Sequence, residues 1–330
     1  MKFVFMEKVN IGLIGLGHLG RFHLENLMQI ENCEVTGIYD IDKKKSKKFA
    51  KEFSVKPYDN MEDLLKDSDA VSIVTPTNTH YEIAKKALNS GVHLFIEKPM
   101  SETLSQAGEI VRIAKEKNLK VQVGHIERFN PAFLGLKKMK LNPLFIESHR
   151  LAEFNPRGTD VSVVLDLMIH DIDIIQNIVK SSVQSIDASG IKVISDSIDI
   201  ANARIKFLNG TVANLTASRI STKKMRKMRI FQKNAYISID FLEKKSEIFS
   251  IDSIEDLPDL NFKQITEYEY KKKNKSLLFS SPIVPDVNAI KLELTEFIDA
   301  LIQNEDPPVT ADDGYSNLRT AFEILKKIDE

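Results

Sequence analysis

Residues Val9 to Gly20 read VNIGLIGLGHLG, an apolar run that passes directly into the pattern GxGxxG at Gly15, Gly17 and Gly20. A second apolar run, Val35 to Tyr39, leads to Asp40. This is the layout of a dinucleotide-binding βαβ unit. Gly15 permits the tight strand-to-helix turn, Gly17 lets the backbone approach a pyrophosphate, and Gly20 lets the helix pack close to the strand. The helix N-terminus, carrying His18 and Leu19, then faces the phosphate charge. The segment that follows is amphipathic, with Leu19, Phe22, Leu27 and Ile30 as its apolar positions. At the end of the second run, the Asp40 carboxylate is placed to accept hydrogen bonds from ribose hydroxyls and to repel a 2′-phosphate, so the implied cofactor is NAD.

Working outward, 330 residues suffice for two domains with separate cores, and 42% hydrophobic content with mixed charge is ordinary for a soluble globular chain. The net charge of −1 argues against general nucleic-acid binding. Cys33 is the single cysteine, which excludes an intramolecular disulfide and suits a reducing cytoplasm. The opening MKFVFMEKVN has too few apolar residues for a signal peptide, and no run approaches a membrane span.

After the first βαβ, apolar runs at Ala70 to Val74, Val92 to Ile96 and Val121 to Gly124 alternate with helical segments at Thr79 to Leu88 and Leu104 to Lys117. Such alternation predicts a parallel sheet covered on both faces. Beyond Leu144 one apolar helix, Val163 to Val179, precedes strand-like runs at Ser185 to Val193, Ile200 to Leu208, Thr211 to Ser218, Arg226 to Gln232 and Tyr236 to Asp240, with Asn209-Gly210 as a tight hairpin. The polar stretch Asp252 to Asn261 and the basic stretch Lys271 to Lys275 read as surface excursions, and two helices, Asn288 to Gln303 and Asp313 to Ile328, close the chain. The expected fold class is α/β: an N-terminal Rossmann parallel sheet over residues 1–125, and over 126–330 a C-terminal α+β domain with an open, mostly antiparallel sheet.

Two constellations carry chemistry. Phe95-Ile96-Glu97-Lys98-Pro99 delivers Lys98 to the C-terminal edge of the parallel sheet, where ligands bind in open α/β folds. Beside a bound nicotinamide such a lysine serves in proton transfer; by position alone it is equally a solvated strand-end lysine. In Val163 to Val179 the residues Asp166, His170, Asp173 and Asn177 form one polar stripe on an otherwise apolar helix. A carboxylate one turn from a histidine suits an acid/base pair, and also suits a buried structural pair. The histidines show no ligand spacing, so no metal is expected. Thr75, Pro76, Asn78 and His80 follow the third parallel strand and are placed to line the cofactor cleft, as is Glu97; Thr79 reads equally as a helix cap. Between Ile200 and Ile239 there are nine Lys or Arg and no Asp or Glu, either a solvated strand edge or a hold on an anionic, diphosphate-bearing substrate.

With Gly15 to Gly20, Glu97-Lys98-Pro99 and Asp166 to His170 in this order, nearly the whole chain resembles the glucose-fructose oxidoreductase, inositol dehydrogenase and rhizopine catabolism (Gfo/Idh/MocA) family. The resemblance implies hydride transfer at a sugar or polyol carbon, with Lys98 and His170 as catalytic groups and Asp166 in support, and oligomer contacts through the C-terminal sheet. QVGHIERFNP (Gln122 to Pro131) and LDLMIHDID (Leu165 to Asp173) resemble the nucleotide-sugar branch. That branch implies a UDP-sugar substrate: oxidation of the 3-hydroxyl of UDP-N-acetylglucosamine to a ketone, which a downstream aminotransferase converts to a 2,3-diamino sugar, in some bacteria for lipid A. Val161, Val163 and Met168 stand where many members have glycine. His125, Glu127, Arg128, Asn130 and Arg157 are carried over as residues on the substrate side, with Asp166 and His170. Another sugar or polyol as substrate, or a non-catalytic NAD-sensing scaffold, are the competing readings; the presence of both Lys98 and the Asp166/His170 pair weighs against the scaffold.

Overall fold

The computed structural model describes residues 7–155, 161–251, 262–270 and 275–330, which fold into two compact units. The first unit comprises residues 1–126 and 288–318. Its strands β1 (Val9–Ile14), β2 (Cys33–Tyr39), β3 (Ala70–Ile73), β4 (His93–Glu97) and β5 (Val121–Gly124) form one parallel sheet in the order β2-β1-β3-β4-β5. The order reverses between β1 and β3, which puts the ligand-binding crevice at the C-terminal ends of those strands. Helices α1 (His18–Leu27), α2 (Lys43–Phe53), α3 (Met61–Lys66), α4 (Thr77–Asn89) and α5 (Leu104–Lys117) provide the crossovers. Thr103 and Gln106 close a capping box that starts α5 where the sequence pattern places it. On α1 the buried side chains are His23, Leu24, Asn26 and Leu27, while Leu19 and Phe22, expected in the apolar stripe, lie exposed beside the glycine loop.

Residues 288–318 depart from the division expected from chain order. Helix α8 (Ala289–Gln303) packs Leu294, Phe297, Ile298 and Leu301 against Val9, Ile11, Leu27 and Phe95 in the core of the first unit. Burying each such side chain contributes roughly 1.5 to 3 kcal/mol, enough to draw this distant segment onto β1 and β4.

The second unit comprises residues 127–287 and 319–330. It contains a short helix α6 (Pro131–Leu134), strand β6 (Phe145–Leu151) and helix α7 (Ile169–Val179), followed by strands β7 (Val183–Ile191), β8 (Ile200–Phe207), β9 (Val212–Ser218), β10 (Met225–Gln232), β11 (Ala235–Asp240), β12 (Lys245–Ile251), β13 (Phe262–Tyr270) and β14 (Lys275–Pro282). The nine strands make one open sheet in the order β13-β14-β12-β11-β10-β6-β9-β8-β7, antiparallel except at the β6–β9 pair. Its inner face (Ile146, Met228, Ile230, Ile237, Ala203, Ile205, Leu215) packs on Ile172, Ile175 and Ile178 of α7 and on Ala321 and Ile324 of helix α9 (Ala311–Asp329). The single helix expected at Val163 to Val179 begins instead as a π turn, Val164–Met168, before continuing as α7. Of the expected excursions, Asp252 to Asn261 and residues 271–274 lie outside the described residues, and Lys275 opens β14. Among the described residues no helix is long and apolar enough to cross a membrane.

Candidate active site

The GxGxxG turn meets its geometric demands atom by atom. Gly15 has φ +99°, and a Cβ there would stand 2.6 Å from the Val74 carbonyl oxygen. At Gly20 a Cβ would overlap the Gly15 carbonyl oxygen, so only glycine lets α1 start this close to β1. Gly17 is different: a Cβ would meet nothing within 4 Å, and as N-cap of α1 it brings no capping side chain. The first N–H groups of α1 are thus left for an external anion, with His18 and Leu19 exposed beside them. Asp40 braces this loop, accepting from the Leu16 N–H at 2.8 Å and from the Asp42 N–H at 2.8 Å, which fixes its carboxylate at the end of β2. These residues fit a dinucleotide: open backbone for the pyrophosphate and an anchored carboxylate for a ribose.

The loop after β3 is shaped differently from its expected role. Thr79 does not cap α4; it lies within the first turn and bonds to Thr75 Oγ1 and to the Pro76 carbonyl. Asn78 is exposed, whereas His80 is buried, its ring nitrogens 2.9 Å from the Pro99 oxygen and 2.8 Å from the Thr75 oxygen. His80 therefore braces the β3 and β4 loops from behind instead of presenting a ring to a ligand. Burial pushes its proton affinity down, against the pull of both carbonyls and Glu97.

Lys98 follows the last residue of β4, at the C-terminal edge of the parallel sheet. Glu97 before it turns inward: Oε1 lies 3.1 Å from His23 Nε2, and Oε2 accepts the Lys98 amide N–H at 3.2 Å. His125 is also interior, with Nε2 3.3 Å from the Asn317 side-chain nitrogen.

In the second unit, Asp166 sits in the π turn and His170 is the second residue of α7, both half-buried. A π turn adds a residue to the helical repeat and frequently marks a functional position. Asp173, expected in the same stripe, is instead fully buried and held in a two-pronged pair by Arg128 at 2.6 and 2.8 Å. Arg150 of β6 holds Asp171 through Nε and Nη2 at 2.9 and 3.0 Å and Glu127 through Nη1 at 2.8 Å, with Arg226 3.6 Å from the same Glu127 oxygen. Burial works against the charge on Arg150, but Asp171 and Glu127 more than offset it and hold the guanidinium above its ordinary range. Asn130 caps α6 and donates to Glu127 and to the Phe241 carbonyl. Glu127, Arg128 and Asn130 are thus joined to an internal network rather than offering unanswered polar heads to a ligand. Asp171 and Arg150 were missed by sequence reasoning, and no local signal marks them. Arg157 lies outside the described residues.

Within the basic run, Lys224 pairs with Glu153, Arg226 with Glu127, Lys227 with Asp240 and Arg229 with Glu147, all within 4.0 Å, while Arg219 is buried beside Asp199. Cys33 is buried and its thiol is pushed up to about 12, chiefly by desolvation, which makes it inert.

Residues 9–125 match the Gfo/Idh/MocA oxidoreductase family with its NAD-binding Rossmann fold, and residues 146–238 match that family's C-terminal domain. The UDP-N-acetylglucosamine 3-dehydrogenase of Acidithiobacillus ferrooxidans is 38% identical over 245 residues, 74% of this chain and 78% of that protein. This chain belongs to the Gfo/Idh/MocA family. A solved structure of UDP-N-acetylglucosamine 3-dehydrogenase from the same organism superposes with a TM-score of 0.87 at 31% identity, covering 98% of both chains. The myo-inositol 2-dehydrogenase of Thermotoga maritima is 25% identical over 341 residues, 98% of this chain and 97% of that protein. As a member of the family, the protein is an oxidoreductase whose Rossmann unit binds NAD.

Proposed function

We propose that the protein oxidises the 3-hydroxyl of UDP-N-acetylglucosamine to the 3-keto sugar, supplying a ketone that an aminotransferase consumes. The observation that carries this reading is the 38% identity to a UDP-N-acetylglucosamine 3-dehydrogenase. NAD, when bound, supplies the hydride acceptor. Gly17 and the N–H groups at the start of α1 hold the pyrophosphate, and Asp40 selects the ribose that lacks a 2′-phosphate. The alcohol carbon loses a hydride and its hydroxyl loses a proton, so a base is required; Lys98 of the first unit takes that role, and the family resemblance gives His170 and Asp166 of the second unit a part in the same proton transfer. A positioned base contributes roughly 10²- to 10⁴-fold. The second reading, a free polyol such as an inositol, is favoured by the inositol dehydrogenase that aligns over 98% of the chain. The test incubates the purified protein with NAD and a panel of UDP-sugars and inositols and follows NADH. Turnover of UDP-N-acetylglucosamine supports the first reading, and turnover of inositols alone supports the second.

The outer face of the open sheet carries our proposal for self-association. Phe145, Phe231, Tyr236, Phe249 and Phe279, from β6, β10, β11, β12 and β14, form a ladder with ring centroids 4.7 to 6.0 Å apart. Such a stripe suits burial against a second copy. Phe231→Lys with Phe249→Lys is expected to yield monomers by light scattering; an unchanged mass places the contact elsewhere.

A further inference from the structure

The first unit buries a titratable pair that the proposed chemistry leaves unused. His23 of α1 is 1% exposed and the side chain of Glu97, at the end of β4, 12%. A carboxylate only accepts, so the 3.1 Å contact gives His23 Nε2 the proton; its Nδ1, 3.0 Å from Ser72 Oγ on β3, then accepts from that hydroxyl. The Phe95 ring meets His23 edge-on at 5.3 Å, and a Cβ at Gly124 of β5 would stand 2.8 Å from the Glu97 carboxylate. One helix and three strands therefore fix this carboxylate, and its second oxygen holds the backbone N–H of Lys98 at 3.2 Å. Burial alone pushes the Glu97 carboxyl up, but the His23 hydrogen bond, the Lys98 charge and the Lys98 N–H hold it below the usual carboxylate range, keeping it ionised.

A buried His–Glu pair is a poor device for stability, since apolar residues of similar volume pack as well or better. Its placement is the informative feature. We infer that His23 and Glu97 are positioning residues for Lys98, linking the helix whose N-terminus meets the cofactor phosphates to the backbone of the proton-transfer lysine. This rests on the reading of Lys98 as the base. Sequence patterns alone leave the pair hidden, because its members are separated by 74 positions and Glu97 sits inside a motif with another reading.

The test measures kcat and KM with NAD and UDP-N-acetylglucosamine for His23→Leu, Glu97→Ala and Glu97→Gln, each with Lys98 present and in a Lys98→Met background. A misplaced catalytic group costs up to roughly a hundredfold. With Lys98 present, His23→Leu and Glu97→Ala are expected to lower kcat by about ten- to a hundredfold, with KM for NAD changed less than about threefold. Glu97→Gln retains an acceptor for the Lys98 N–H and is expected to recover most of the rate. In the Lys98→Met background the same changes are expected to leave the residual rate unaltered, since there is no lysine left to position. Equal fold losses in both backgrounds overturn the inference while leaving Lys98 as base. Wild-type kcat in Lys98→Met overturns the base reading and the inference with it. If His23→Leu fails to fold, the contrast between Glu97→Ala and Glu97→Gln decides, and equal rates for those two sink the proposal.

Discussion

Replacing Arg150 by Met is expected to destabilise the second unit severely, and the structure sets the magnitude. Arg150 is 3% exposed and is the cation that answers two buried carboxylates, Asp171 through two nitrogens and Glu127 through a third. Glu127 retains Arg226 at 3.6 Å, but that guanidinium is half exposed and offers only a partial substitute. Removing one partner of a buried ion pair costs about 3 to 5 kcal/mol, and here Asp171 loses both its guanidinium bonds while Glu127 keeps Arg226 and Asn130, so the middle of that range applies. Against a total of roughly 5 to 15 kcal/mol for a folded domain, 4 kcal/mol multiplies the unfolded fraction by several hundred, at about 1.4 kcal/mol per factor of ten. Hydrogen exchange at the amides of β6 and β10, read with urea denaturation, reports this unit by itself. Arg112→Ala is the control: its pair with Glu116 is more than half exposed on both sides, and its loss is expected to leave the urea midpoint unchanged. A triple change of Arg150, Asp171 and Glu127 to apolar residues should restore much of the stability, because it removes the stranded charges. A loss below about 1 kcal/mol for Arg150→Met would refute the reasoning and show that these carboxylates are solvated.

Three further outcomes follow from the first unit. Gly20→Ala drives a Cβ into the Gly15 carbonyl oxygen and is expected to lower both Tm and NAD affinity, whereas Gly17→Ala meets open space and is expected to leave Tm in place while weakening NAD about tenfold or more by calorimetry. Equal behaviour of the two would contradict the division of labour between them. Asp40→Asn removes the charge and keeps one of the two acceptors that the Leu16 and Asp42 N–H groups use, so the preference for NAD over NADP, measured as a ratio of kcat/KM, is expected to fall by roughly ten- to a hundredfold. An unchanged ratio would show that something else reads the 2′ position. His93 accepts the Lys120 N–H at Nδ1, and burial, aided by Lys120 and opposed by Asp69, holds its pKa below 6.5. A depressed histidine binds its proton more readily unfolded, so this stabilising contribution is complete above pH 6.5 and is lost as pH falls below it. Tm against pH should therefore decline from about neutrality downward less steeply in His93→Asn than in the wild type; parallel curves would contradict the assignment.

What was legible in the sequence is what local sterics write there. Gly15, Gly17 and Gly20 each answer a constraint set within a few residues, and α5 begins where Thr103 and Gln106 cap it. Strand β6 was hidden because two of its inward residues, Ser148 and Arg150, are polar, which erases the period-2 apolar signal. The return of α8 to the first unit depends on Leu294 and Phe297 meeting Val9 and Phe95, contacts between ends of the chain that no periodicity encodes. The stripe from Asp166 to Asn177 presumed an unbroken α-helix, and the π turn together with Arg128 redirects Asp173 inward. His80 and Glu97 were read from their motifs as cofactor-lining, but burial in the first and pairing with His23 in the second turn them to holding loops in place.

The most direct test of the proposed function follows an isotope. UDP-N-acetylglucosamine carrying deuterium at C3 is incubated with the protein and NAD, and both products are analysed by mass spectrometry. Oxidation at C3 is expected to place the deuterium on the reduced cofactor, leave a sugar nucleotide lighter by that deuterium and one hydroxyl proton, and slow turnover if hydride transfer limits the rate. Reduced cofactor without label, with deuterium retained in the sugar, would mean oxidation at another carbon. No reduced cofactor at all from this substrate, with ready turnover of an inositol, would contradict the nucleotide-sugar reading.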